Sequence, residues 1–215
     1  MAMSGLERRG YKVGSTSMEA QRLLGTDEPG AGVLLAPFIH ESPTRVILTP
    51  AHGPAVEGEF AFRMGCELPP REGPYTLAEV TAAVECVAGA IEVVGTRFAG
   101  GLAGKGRFLT TADCGVNNAL AIGPWTAWVG EDLRRERVSM TINGERRGVG
   151  TGSRALGDPL HVLVWLANQQ SSAGRGLKAG EIVATGTCTG LDCVQPGDMA
   201  HADFGKLGAV EIEFA

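Results

Sequence analysis

Between residues 55 and 64 the chain alternates with a period of two. Val56, Gly58, Phe60 and Phe62 fall on one face, and Glu57, Glu59, Ala61 and Arg63 on the other, the pattern of a strand lying on a core. Shorter runs with strand character recur at 45–48, 90–94, 181–185, 199–204 and 209–214. Val138, Met140 and Ile142 alternate with polar neighbours up to Asn143-Gly144, a dipeptide suited to a two-residue turn, so a hairpin is predicted over 137–149. Two stretches carry helical spacing instead. Thr76-Leu77-Ala78-Glu79 is a capping box, and Leu77, Val80, Val84 and Val87 continue from it on one face until Gly89. Asp158 offers an N-cap and Pro159 a first helical residue for a second helix through Leu160, Leu163, Val164 and Leu166, ending before Gly174. The glycine-rich segment 98–106 suits neither element and is predicted to be a mobile loop beside a site. The sum is an α+β chain: a mixed, mostly antiparallel β fold with two principal helices packed against it.

Composition narrows the function. No internal repeat or linker interrupts residues 1–215, which read as a single domain. Gly occurs 32 times, which favours turns and short strands over an all-helical fold. A net charge of −5, with no basic run longer than Arg134-Arg135 or Arg146-Arg147, leaves no electrostatic footprint for nucleic acid. No stretch approaches the roughly 20 apolar residues of a membrane span, and the N-terminus lacks the apolar run of a signal peptide, so the sequence reads as cytoplasmic. Five cysteines without a Cys-x-x-Cys pair indicate reduced thiols rather than a disulfide framework or a structural zinc site.

The candidate chemistry starts from Glu57 and Glu59. Residues two apart on a strand project to the same side roughly 7 Å apart, so both can converge on one ion if a third ligand faces them. Alone, such a pair is more often a solvated face. Here, however, the other face of the strand is apolar, and Glu92 stands in a second, otherwise apolar strand where an unpaired carboxylate would be costly to bury. Three carboxylates with no His or Cys suit a hard ion, Mg²⁺ or Mn²⁺. Lys12, in Gly10-Tyr11-Lys12-Val13-Gly14, reads either as a surface lysine or as a partly desolvated one with a lowered pKa, able to move a proton. His40 and His52 flank the strand at 45–48, and Ser153 lies between Gly152 and Arg154 without the Gly-x-Ser-x-Gly elbow of a nucleophile.

Eight motifs follow one another in the order and spacing of a known family. They are Gly10-Tyr11-Lys12-Val13-Gly14; Gln21 with Leu24-Gly25-Thr26-Asp27-Glu28-Pro29; Val56-Glu57-Gly58-Glu59; and Ile91-Glu92-Val93-Val94-Gly95-Thr96-Arg97. Then come Ala112-Asp113; Gly152-Ser153; Leu156-Gly157-Asp158-Pro159-Leu160 with Trp165-Leu166-Ala167; and Gly180-Glu181-Ile182-Val183-Ala184-Thr185-Gly186. The chain resembles the 2-keto-4-pentenoate hydratase and 4-oxalocrotonate decarboxylase branch of the fumarylacetoacetate hydrolase superfamily over nearly its whole length. The resemblance implies a β-roll core and a Mg²⁺ or Mn²⁺ ion on Glu57, Glu59 and Glu92. It also implies a proton-transfer role for Lys12 and substrate contacts from Gln21, Asp113 and Ser153. It further implies a small-molecule 2-oxo acid substrate, activated as a metal-stabilised enolate for hydration or decarboxylation, and a homo-oligomer.

Three departures qualify that expectation. The branch carries a longer N-terminal helical segment before the Gly-x-Lys-x-Gly motif, and this sequence starts almost at the motif. Its Pro-Asp-Phe-Gly is here Pro29-Gly30-Ala31-Gly32, so an acid/base carboxylate is missing, and Cys114 follows Asp113 where Asn is common. Two other readings stand beside the lyase: an acylpyruvate-type carbon–carbon bond hydrolase, which needs a His/Glu pair to activate water, and a catalytically silent subunit of a hydratase/decarboxylase complex.

Overall fold

The computed structural model of the chain describes residues 5–101 and 106–215. In chain order the elements are β1 (Arg8–Gly14), α1 (Met18–Leu24), β2 (Gly30–Leu35), β3 (Ile39–Glu41), β4 (Thr44–Val46), β5 (Ala55–Met64), α2 (Leu77–Ala82) and β6 (Val84–Val94). There follow α3 (Gly106–Ala112), β7 (Asn117–Ile122), β8 (Thr126–Ala127), β9 (Arg137–Ile142), β10 (Glu145–Thr151) and α4 (Pro159–Ser172). The chain closes with β11 (Ile182–Thr187), β12 (Asp192–Cys193), β13 (Met199–Asp203) and β14 (Ala209–Phe214). None of these helices is long and apolar enough to cross a membrane.

Two sheets result. The larger runs β2-β1-β11-β5-β6-β7-β3, with β12 added against β5 and β8 against β6; the smaller runs β10-β9-β13-β14-β4. Every pairing is antiparallel except β1 with β11, β3 with β7 and β4 with β14, so the α+β, mostly antiparallel expectation holds. Phe60 on β5 meets Phe204, just beyond β13, edge to face at 5.6 Å between ring centroids, an arrangement aromatic quadrupoles favour. Around that contact Met140, Ile212 and Phe214 are fully or almost fully buried, which joins the sheets into one core.

Several elements follow directly from local chemistry. Asn143 and Gly144, both at positive φ, close the β9–β10 hairpin in the twist two-residue turns require. Asp158 caps α4 by accepting from the Leu160 amide, with Pro159 at the first helical position. The capping box at Thr76 and Glu79 is formed.

The helix it opens is much shorter than its spacing predicts, and this is a correction. α2 ends at Ala82, and the chain is strand from Val84 to Val94 rather than helix to Val87. Pairing with β5 along its whole length, from Ala55 opposite Val94 to Met64 opposite Val84, outweighs the local period. Gly89 is therefore no helix stop. A Cβ there would sit 2.2 Å from Cδ2 of Phe204, so glycine is what allows the ring of one sheet to rest on the backbone of the other.

The Gly10-Tyr11-Lys12-Val13-Gly14 motif forms β1 between β2 and β11. A Cβ at Gly10 would lie 1.9 Å from the Ile182 carbonyl oxygen, so the glycine permits the close approach that brings Lys12 alongside Ala184 of β11.

Candidate metal centre

Register places the three glutamates. Glu57 on β5 stands directly opposite Glu92 on β6, and Glu59 follows two residues along the same face of β5. One carboxylate oxygen from each lies within 4.8 Å of the other two. Glu59 and Glu92 are fully buried, while Glu57 keeps partial access to solvent, so the centre opens past Glu57. An irregularity in the β11–β5 pairing between Ala184 and Thr187 turns the Gly186 amide inward, where it donates to Glu59 Oε2 at 2.8 Å. Gly186 is at φ +88, and a Cβ on it would meet Thr16 Oγ1 at 2.1 Å.

Lys12 reaches the same point from β1. Its Nζ is 3.0 Å from Glu92 Oε2 and donates to the Gly115 carbonyl at 3.0 Å. Asn117 Nδ2, at the start of β7, donates to Glu92 Oε1 at 2.8 Å and fixes that carboxylate's rotation. Burial would lower the lysine's pKa, yet Glu92, Glu59 and Glu57 together raise it above the ordinary range. Of the two readings of Lys12, that of a lowered pKa is reversed: the lysine is buried and holds its proton as the counter-charge of Glu92.

One ammonium does not balance three carboxylates. At an effective dielectric of about 20, two unit charges 4.8 Å apart repel by roughly 3–4 kcal/mol. Desolvation and this repulsion push Glu57 up to about 7, and Glu59 well above the usual carboxylate range. Glu59 Oε1 is buried without a hydrogen-bond partner, and Glu92 Oε2 has only its charge contact with Lys12. A divalent cation fits these residues. Two added positive charges with that of Lys12 equal the three negative ones, and the orphaned oxygens become ligands in an all-oxygen set suited to a hard ion.

A pH dependence follows. Glu57 ionises near 7 in the fold against 4.5 as its ordinary value, so its contribution to metal-free stability is present below about 4.5 and lost as pH rises through about 7. A cation binds the ionised form and reverses that loss. The rise in Tm on adding saturating Mg²⁺ should therefore be on the order of 3–6 °C greater at pH 8 than at pH 5.5. Thermal melts at the two pH values check this, and an equal rise in both would contradict it.

Among the described residues, the other predicted residues make their hydrogen bonds elsewhere than to the three glutamates. Asp113 accepts from Thr96 Oγ1 at 3.0 Å and from the Arg97 amide at 2.9 Å, and pairs with the Arg97 guanidinium at 3.0 Å. It anchors the turn that leads to Gly115, the carbonyl bound by Lys12. Gln21 donates to the Ser15 carbonyl at 3.0 Å, and Ser153 shares a 2.8 Å hydrogen bond with Thr151 on an exposed turn. Of the predicted mobile loop over 98–106, residues 102–105 lie outside the described residues.

His40 and His52 line a cavity of about 570 Å³ with Phe38, Arg97, Val93 and Asn118. Val93 alternates away from Glu92, so this large cavity lies across the sheet from the glutamates. His161 bonds the Leu156 carbonyl, and His201 lies 3.9 Å from Glu211; among the described residues no histidine is hydrogen-bonded or ion-paired to the cluster. Asn117 and the Gly186 amide were not foreseen from the sequence. An asparagine heading the apolar run of 119–122 was the available signal for the first; the second is a backbone group set by an irregular pairing.

The profile described as fumarylacetoacetate (FAA) hydrolase C-terminal matches residues 28–215. A 2-keto-4-pentenoate hydratase of Paraburkholderia xenovorans (strain LB400) is 33% identical over 207 residues, 95% of this chain and 75% of that protein. The 2-hydroxyhexa-2,4-dienoate hydratase of Comamonas testosteroni is 32% identical over 216 residues, 98% of this chain and 80% of that one. Among solved structures, 4-oxalocrotonate decarboxylase from Pseudomonas putida G7, complexed with magnesium and adipate, superposes with a TM-score of 0.88 at 28% identity. That match covers 98% of this chain and 79% of the other.

Proposed function

Because the chain belongs to the fumarylacetoacetate hydrolase C-terminal family, we propose that it is a divalent-metal-dependent lyase of the hydratase/decarboxylase type acting on an unsaturated 2-oxo acid. The observation that carries this reading is the convergence of Glu57, Glu59 and Glu92 on one point with a buried, unpartnered carboxylate oxygen between them. Relatives named as hydratases and a decarboxylase complexed with magnesium support it. When bound, Mg²⁺ or Mn²⁺ supplies electrostatic stabilisation of the charge that develops on the 2-oxo oxygen as the substrate enolises.

The protein's own residues do the rest. Glu57, Glu59 and Glu92 would hold the cation, with the Gly186 amide and Asn117 fixing two of the carboxylates from behind. Lys12, tied to Glu92 and the Gly115 carbonyl, would carry the proton between the substrate's carbon chain and the centre. Its ammonium loses part of its counter-charge once Glu92 binds a cation, which eases proton release. The hydrolase reading has less support, since it needs a histidine to activate water, and among the described residues no histidine is hydrogen-bonded or ion-paired to the cluster.

The missing carboxylate at Gly30 limits the reaction. Gly30 pairs with Gly14 across β1 and β2, and Lys12 pairs with Gly32, so position 30 shares its face with Lys12. Lys12 Nζ lies 3.5 Å from where a Gly14 Cβ would stand, and a Cβ at Gly30 meets nothing within 4 Å. The space for an acid beside the lysine exists, but this chain leaves it without one.

Hydration needs a group to activate water at the distal carbon, whereas enolisation and decarboxylation do not. With Mg²⁺, water addition to 2-hydroxypenta-2,4-dienoate should therefore be slow relative to solvent-deuterium incorporation, with both followed by NMR in one sample. Gly30→Asp should raise hydration by on the order of 10²-fold. Fast hydration by the unmodified protein, or no gain in the variant, would contradict this assignment. Absence of both reactions on any 2-oxo acid would contradict the proposed function itself.

A further inference from the structure

The cavity across the sheet from the glutamates is too large to be a packing defect. Its volume of about 570 Å³ far exceeds the water-sized voids of a close-packed interior and falls within the roughly 300–1,000 Å³ of small-molecule sites. The larger sheet contributes Val93 of β6 and Ala119 of β7; the edge strand of the smaller sheet contributes Val46, with Leu48 just beyond it. The cavity therefore lies between the two sheets, and all four of these side chains are buried.

Its polar lining carries one sign of charge. Arg45, Arg97, His40 and His52 line it, and among the described residues no Asp or Glu does, in a chain whose net charge is −5. His52 is held in place by its neighbours. A Cβ at Gly95 would lie 2.7 Å from Asn118 Nδ2 and 3.1 Å from the His52 carbonyl oxygen, so a glycine is what lets both residues close on the end of β6. Asn118 Nδ2 donates to the Gly95 carbonyl at 2.7 Å, which leaves its Oδ1 to face His52 Nδ1 at 3.2 Å. Nδ1 is then the donor of that pair, and Nε2 has no hydrogen-bond partner among the described residues.

The other basic groups differ in how far they are already engaged. The Arg97 guanidinium is balanced by Asp113 at 3.0 Å and donates to the Asn117 carbonyl at 2.7 Å. Among the described residues the His40 ring makes no hydrogen bond, and Arg45 makes only a 3.4 Å charge contact with Glu213, each side chain more than half exposed. A pair so exposed contributes at most about 1 kcal/mol in water, so the Arg45 fork remains open to a better partner.

We propose that this cavity is a second binding site, for a small carboxylic acid with an apolar body. A guanidinium fork matches a carboxylate, and the imidazoles add donors beside it. Val46, Leu48, Val93 and Ala119 take the apolar part. The site is separate from the glutamate centre and needs no cation there.

Titration of the metal-free protein, with a chelator present, tests this without turnover. The probes are phenylacetate and phenylacetamide, which match in shape and differ in charge. The readout is the Cε1–H NMR signals of the four histidines, assigned through single His→Gln variants. Phenylacetate should shift His40 and His52 saturably and leave His161 and His201, which do not line the cavity, unmoved. It should bind about fivefold tighter or more than phenylacetamide. Arg45→Gln, which replaces an exposed side chain and should leave the melting temperature unchanged, should weaken phenylacetate by about threefold or more and phenylacetamide by less than about twofold.

Absence of a saturable shift at His40 and His52 up to about 10 mM phenylacetate, or equal shifts at all four histidines, would overturn the site. Equal affinity for acid and amide would overturn its assignment to carboxylates, and unchanged phenylacetate affinity in Arg45→Gln would overturn the part given to Arg45.

Discussion

The Glu92→Gln protein is expected to fold and to lose metal-dependent turnover by on the order of 10³-fold, equivalent to about 4 kcal/mol of transition-state stabilisation. The amide keeps the size of the carboxylate and can still accept from Asn117, so the β6–β7 contact survives. What changes is charge. Lys12 and a divalent cation would then face two carboxylates instead of three, and the unbalanced positive charge in a fully buried site would weaken the cation's affinity. Three measurements check this together: the metal-free melting temperature, which should stay within a few degrees; the Mn²⁺ affinity, which should fall; and kcat/KM. Activity within tenfold of the unmodified protein would show that Glu92 does not hold the catalytic cation.

Lys12→Met should separate cation binding from proton movement. Methionine fills a similar volume without charge or donor, and among the described residues the polar partners of Lys12 are Glu92 and the Gly115 carbonyl. With the cation present the carboxylates remain compensated, so Mn²⁺ affinity should stay within about tenfold. Solvent-deuterium incorporation into a 2-oxo acid should fall by about 10²- to 10⁴-fold, the range for losing a positioned general acid/base. Unchanged exchange with intact metal binding would remove Lys12 from the proton path.

The parts of this protein legible in its sequence are those specified by neighbouring residues. Asn143-Gly144 dictates its hairpin and Asp158-Pro159 its helix start, and the alternation of 55–64 marks β5 with its two glutamates on one side. Elements specified by distant partners were hidden. Val84 and Val87 have helical spacing from Leu77, yet they are strand because all of β5 lies alongside to pair with them. β2 is likewise hidden, because its Gly30-Ala31-Gly32 opening carries no alternation and is held by β1 and by the close backbone of Cys114.

The site divides in the same way. Three carboxylates and a lysine could be named from residue type and family resemblance. That Glu57 faces Glu92 across one rung, and that the lysine is a counter-charge with a raised pKa, depends on register and burial.

All of these expectations depend on one cation sitting among Glu57, Glu59 and Glu92. Crystals grown or soaked with Mn²⁺, with diffraction recorded just above the manganese absorption edge, test that most directly. A single strong anomalous peak is expected between the three carboxylates, within coordination distance of Glu59 Oε1, an oxygen left without a hydrogen-bond partner. An anomalous map with no peak between these side chains, or with its only peak elsewhere on the protein, would contradict it.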